Sequence, residues 1–192
     1  MPFLVDITPC EPSILKEYII PAIIGILSSG LASLVFWYLF YNIKPKIEIS
    51  EHIAYSTLSN DPAKNKHVIK FINKSKTDLT NVKLELKRML AQNSLKGNVY
   101  AFESLRLKTC EISIVDKFDK KDKDSKYAIQ VVVDDNLNQI WKPSSETLIF
   151  SVIATHSVSG STKLFEMEFK HQTNLKKGTF VTGNTFEIEK EN

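Results

Sequence analysis

The sequence predicts an all-β domain, an immunoglobulin-like sandwich or small barrel of about eight or nine strands, behind one N-terminal transmembrane α-helix. Three observations carry this prediction. An apolar run without a charged side chain extends from Ile19 to Ile43. Beyond Pro45, apolar residues alternate with polar ones at period two. Clusters of Asn, Ser, Gly and Lys separate the alternating stretches. The chain of 192 residues divides accordingly into a short extracytoplasmic tail (residues 1–17), a transmembrane helix (18–43) and a cytoplasmic β-sandwich or β-barrel domain (44–192).

The apolar run is long enough to span, since roughly 20 helical residues cross a hydrocarbon core about 30 Å thick. A cleaved signal peptide would begin with basic residues and end on small ones. Here the leader carries Asp6, Glu11 and Glu17 against Lys16, and the run ends in Phe36-Trp37-Tyr38-Leu39-Phe40-Tyr41, which reads as an uncleaved anchor. Ser13 is placed to cap the helix, and Pro21 falls near an interface where a lost backbone bond is tolerable. Tyr18 at one end and Trp37, Tyr38 and Tyr41 at the other form aromatic belts. A two-helix hairpin broken at Ser28-Ser29-Gly30 leaves each arm too short to cross.

Lys44 and Lys46 follow the span while only Lys16 precedes it, which predicts an inner-membrane protein with its N-terminus outside and its C-terminal domain in the cytoplasm. Cys10 and Cys110 then lie on opposite sides of the bilayer and cannot pair. Cys110 is expected as a buried structural thiol. Small residues recur at helical spacing, with Gly25, Ser29 and Ser33 in one register and Ser28 and Ala32 in the next. Such a stripe admits a second helix backbone at close range and predicts a homo-oligomer. No acidic, basic or histidine side chain lies inside the span, which argues against a proton relay or a midplane ion site.

In the β-domain, Ile47, Ile49, Ile53 and Tyr55 share parity in a first strand broken at Glu51, and Val68 to Ile72 forms a second. Val82, Leu84, Leu86 and Leu90 face one way in a third, opposite Lys83, Glu85 and Lys87. Strands follow at Val99–Lys108, Glu111–Val115 and Tyr127–Val133, then along Leu148, Phe150, Val152 and Ala154. Phe165, Met167 and Phe169 alternate with Glu166, Glu168 and Lys170, and Phe180, Phe186 and Ile188 mark a final strand or pair. Lys176-Lys177-Gly178 reads as a turn, and Asp116 to Lys126, DKFDKKDKDSK, as a solvated hairpin loop whose interleaved lysines oppose a dication.

Lys plus Arg number 25 against 22 Asp plus Glu, a balance that does not mark a nucleic-acid binder. The net +3 resolves into −2 over the first 43 residues and +5 beyond them. The histidines, His52, His67, His156 and His171, show no metal-ligand spacing, and no nucleophile–base pair or phosphate loop appears, so neither metal, cofactor nor catalysis is expected. The strongest polar cluster is Thr155-His156-Ser157-Val158-Ser159-Gly160-Ser161-Thr162-Lys163. Its hydroxyls, freed amides, histidine and lysine suit an anion such as a nucleotide phosphate, with Lys87, Arg88, Arg106 and Lys108 as further positive charge. The candidate ligand residues are therefore His156, Ser157, Ser159, Lys163 and Arg106, against the plainer reading of a Ser/Gly-rich hairpin.

The stretch from His67 to Met89, HVIKFINKSKTDLTNVKLELKRM, resembles the strand, Asn-containing turn and Asn-Val strand start of bacterial immunoglobulin-like modules, which implies fold alone. The whole layout is similar to small membrane effectors of bacterial antiphage defence, both retron-associated and cyclic-oligonucleotide-activated. That resemblance implies helices that assemble to disrupt the inner membrane. It also implies a β-domain sensing a nucleotide signal or a defence-system partner protein, transmitted through the stiff Lys44-Pro45-Lys46 linker. The alternative expectation is a non-toxic anchor or scaffold that docks a partner.

Overall fold

The computed structural model describes residues 18–57, 65–94, 97–122 and 124–190. The expected outer tail with its Ser13 cap, Cys10 and Lys16 lies outside the described residues. Two compact units divide at Asn42/Ile43. In the first, helix α1 runs from Ile20 to Asn42, and its Ile20–Phe40 stretch is long and apolar enough to cross a membrane. From Ile20 to Phe40 its isoleucine, leucine and aromatic side chains are exposed.

The second unit is all-β. Alternation translates directly into two facing sheets, because successive strand side chains point to opposite faces. The first sheet contains β1 (Ile47–Ile49), β2 (Ile53–Thr57), β3 (Asn65–Asn73), β7 (Ala128–Val133) and β10 (Leu175–Lys177). Here β1 and β2 pair with successive parts of β3, and β7 pairs antiparallel with β3. The second sheet contains β4 (Leu79–Ser94), β5 (Gly97–Leu105), β6 (Glu111–Val115), β8 (Glu146–His156) and β9 (Thr162–Phe169). In it β5 and β6 pair with different parts of β4, then come β8 and, at the edge, β9. A two-stranded ribbon of β11 (Thr179–Phe180) and β12 (Ile188–Glu189) follows. The predicted first strand splits into β1 and β2, the predicted final strand or pair is the ribbon β11 and β12, and the short β10 is additional, which takes the number past eight or nine.

Between the sheets lies one apolar core, including Ile69 and Phe71 from β3, Val82, Leu84 and Leu86 from β4, and Leu148, Phe150 and Val152 from β8. Trp141, after the single-turn helix α2 (Leu137–Ile140), closes one part of it and donates from Nε1 to the Glu146 carbonyl at 3.1 Å. β4 carries an irregularity between Thr80 and Lys83, where Asn81 adopts φ 50°. Asparagine tolerates that left-handed conformation better than most residues.

Three expectations need correction. Asp116 to Lys126 does not form a hairpin loop, because β6 and β7 belong to different sheets and the segment crosses between them. Its aspartates make local turns: Asp119 accepts from the Lys121 amide, and Asp122 from those of Asp124 and Lys126. Lys176 and Lys177 belong to β10, parallel to β2, and only Gly178 turns. Cys110 is exposed, since it sits in the link between β5 and β6 and not on an inward-facing strand position.

Candidate functional site

On α1, the small residues Gly25, Ser29 and Ser33, with Ser28 and Ala32 beside them, are all exposed. A Cβ added at Gly25 would meet no side chain and no more distant backbone within 4 Å. The Ser28 hydroxyl donates to the Gly25 carbonyl at 3.0 Å and Ser33 to Ser29 at 2.9 Å. Such back-bonding satisfies hydroxyls within their own helix. Contact along this stripe would thus draw chiefly on close packing.

The polar cluster after β8 is a turn whose polar groups are largely satisfied within the β-domain. All five amides from Ser157 to Ser161 donate internally. Ser157 gives its N–H to the Asp78 carbonyl, Val158 and Ser159 to His156 Nδ1, Gly160 to the His156 carbonyl, and Ser161 to the Ser159 hydroxyl. Because Nδ1 accepts two amides, the proton sits on Nε2, which faces Thr77 Oγ1 at 2.6 Å. The ring is buried, and burial lowers its pKa. The Ser159 and Ser161 hydroxyls reach the Ile43 carbonyl at 2.8 and 3.5 Å, and the Lys163 ammonium lies over the Phe165 ring at 4.8 Å. The turn amides and the Ser159 and Ser161 hydroxyls, which an anion would need, are already engaged. Gly160, at φ 66°, is used for the turn itself.

Arg106 does not join this cluster. Leu105 pairs with Leu86, whereas His156 pairs with Leu79, seven residues back along β4 and so roughly 23 Å away. Asp135 holds Arg106, accepting from its amide at 2.7 Å and from its guanidinium at 3.3 Å. Of the other expected cations, Arg88 and Lys87 are likewise engaged. Arg88 bridges Glu103, Glu146 and the Ile140 carbonyl, its pKa raised first by the bond to Glu103, and Lys87 pairs with Glu85.

Two features escaped sequence reasoning. The first is Lys70, 1% exposed, on the outer face of the first sheet. Its ammonium donates to the carbonyls of Val181, Gly183 and Thr185 at 2.6, 2.8 and 2.8 Å. Three acceptors use all three donors of the charged form, against the lowering of its pKa by burial. The C-terminal segment is thereby clasped over that sheet. Gly178 (φ 135°) permits the clasp, since a Cβ there would stand 2.0 Å from the Glu189 carbonyl oxygen.

The second is a cleft of about 510 Å³ between the edge strands β1 and β9. Ile47, Ile49, Phe165, Met167 and Phe186 form its apolar surface, and Glu48, Glu51, His52 and Glu166 its polar part. Phe165 and Met167 share inward parity with the fully buried Phe169, yet both are only half-buried. The cause is local: β1 has three residues, the chain bends away at Ser50–His52, and β10 pairs with β2 alone. His52 Nδ1 is buried there without a hydrogen-bond partner among the described residues, and burial, then Lys176, lowers its pKa.

No group of three or more His, Cys, Asp or Glu among the described residues is placed to hold a metal ion. No protein-family model matches the chain, and no curated protein does. Among solved structures the chain is similar to Spo0M, the sporulation control protein of Bacillus subtilis, with 9% identity and a TM-score of 0.36, over 66% of this chain and 48% of that one.

Proposed function

We propose that the protein is a single-pass inner-membrane effector, N-terminus outside and β-domain in the cytoplasm. Its β-domain recognises a signal or a partner protein, and its helices assemble to disrupt the membrane, in the manner of antiphage-defence effectors. The observation that supports this is a helix long enough to span with no acidic, basic or histidine side chain, bearing a small-residue stripe open at Gly25. An isolated span of this kind offers no polar path, so permeabilisation requires several helices together. No catalytic step is assigned to the chain.

The test is membrane potential in cells expressing the protein under its trigger, beginning with phage infection. Depolarisation that disappears with Gly25→Leu or Ser29→Leu, while both variants still insert, is the expected result. Depolarisation unchanged by either leucine would overturn assembly along the stripe. External protease on intact spheroplasts should spare the β-domain, and its digestion would reverse the orientation. A second reading, a non-toxic anchor or scaffold, draws support from the open cleft between β1 and β9. It expects no depolarisation under any trigger.

A further inference from the structure

We infer that the cleft between β1 and β9 is a docking groove for an extended peptide segment of a partner protein, one in which apolar and basic residues alternate. Three independent properties of the flank point to that chemistry. The outer edge of β9 pairs with no strand among the described residues, so its backbone groups remain available to an added strand. The inward-facing side chains next to that edge, Phe165 and Met167, are half-buried apolar surface on which an added strand would place every second residue. The outward-facing side chains at the same positions are Glu166 and Glu168, which would stand beside the intervening residues. Opposite charges at directly facing positions stabilise a strand pair, and like charges weaken it.

The charge of the surroundings sharpens the assignment. Three carboxylates, Glu48, Glu51 and Glu166, line the cleft with no lysine or arginine among its lining residues, although residues beyond 43 carry a net +5. Nearby cations are partly spoken for: Lys74 bridges Glu48 at 3.2 Å, Lys170 bridges Glu168 at 2.5 Å, and Lys163 rests on Phe165. An anionic headgroup or a nucleotide would meet these carboxylates unfavourably, whereas a lysine or arginine of an incoming strand would not.

The inference goes beyond the membrane reading and is tested without a bilayer potential. The full-length protein in detergent micelles is titrated against a fluorescein-labelled octapeptide of alternating valine and lysine, read by anisotropy and by amide-exchange protection of residues 162–169. Saturable binding with protection of β9 is expected, with no binding of an alternating valine–glutamate octapeptide or of octalysine. Glu166→Lys with Glu168→Lys, both exposed although Glu166 accepts from the Ser151 hydroxyl at 3.0 Å, should weaken the alternating peptide by about tenfold or more in protein that keeps its urea-unfolding transition. Ser104→Lys on the opposite edge strand should leave it unchanged. Equal binding of octalysine, or affinity unaffected by the double charge reversal, would overturn the inference. So would self-association through β9 that the valine–lysine peptide fails to displace, because the groove would then belong to a second copy.

Discussion

Where β5 and β6 meet β7, the chain crosses from one sheet to the other and stitches them together with backbone bonds; where β1 faces β9, the strands approach with no backbone bond between them among the described residues. On the first flank Leu107 bridges Val133, the Lys108 amide donates to the Val132 carbonyl, and Asp134 donates to Arg106, each backbone bond at 2.9 Å. Leu105, Leu107 and Val133 are consequently buried. On the second flank the crossing is postponed to the link between β9 and β10, and Phe165 and Met167 stay half-exposed. Inward parity alone therefore does not bury a side chain. A strand of the opposite sheet has to lie over it.

The sharpest way to break this contrast is to truncate residues of equal parity on β9. Phe169→Ala removes a ring with no exposure and should cost about 4 kcal/mol in urea unfolding. Met167→Ala, two residues away but only partly buried against the core, should cost about 1 kcal/mol. Comparable losses at the two positions would mean that the second flank is as closed as the first.

The C-terminal clasp supplies Phe186 to the open cleft, so releasing it should alter that flank most. Lys70→Met strands three carbonyls against an apolar side chain, and a loss of about 3 kcal/mol is expected, with faster chymotryptic cleavage near Phe186. A variant of wild-type stability and cleavage rate would show that the clasp contributes nothing. His67, beside Val133 near the stitched flank, tests the opposite side. It is fully buried with neither ring nitrogen bonded, and burial pushes its pKa from 6.5 down to about 4, opposed by Asn138. The unfolded ring takes up a proton below 6.5 and the folded ring only near 4. Stability is thus complete above pH 6.5 and falls, by up to about 3 kcal/mol, as the pH drops towards 4. His67→Leu should flatten that slope, leaving the slopes of the same sign from His52 and His156.

Strand parity made much of the sandwich legible beforehand, since Val82, Leu84 and Leu86 on β4 and Leu148, Phe150 and Val152 on β8 are inward as their alternation dictates. What parity lacks is knowledge of distant chain. Lys70 sits at a polar position of an alternating strand and reads as solvated. The segment that buries it lies 111 residues further on, and its weak periodicity announces no cover. The cleft is a missing strand, and an absence leaves no pattern in a sequence. His156 had a usable signal: a histidine followed at once by Ser-Val-Ser-Gly suits a ring that accepts turn amides as readily as one that waits for a ligand. Arg106 was associated with it by charge alone, and register separates them.

The smallest expected effect distinguishes a stitch from a binding residue. The Arg106 side chain is 82% exposed while that of Asp135 is 20% exposed, so their ion pair is largely solvated. Arg106→Ala should change stability by less than about 0.5 kcal/mol, within the ordinary range of surface pairs. Asp135→Ala should cost about 1 kcal/mol, because it also deprives the Arg106 amide of its acceptor at the point where the chain crosses between sheets. In a double-mutant cycle the coupling between the two side chains should therefore be small, and the excess cost should remain with Asp135 whichever residue occupies position 106. If the cost instead followed Arg106, the guanidinium and not the backbone crossing would be holding this flank shut. The asymmetry between the two flanks would then rest on one solvated charge.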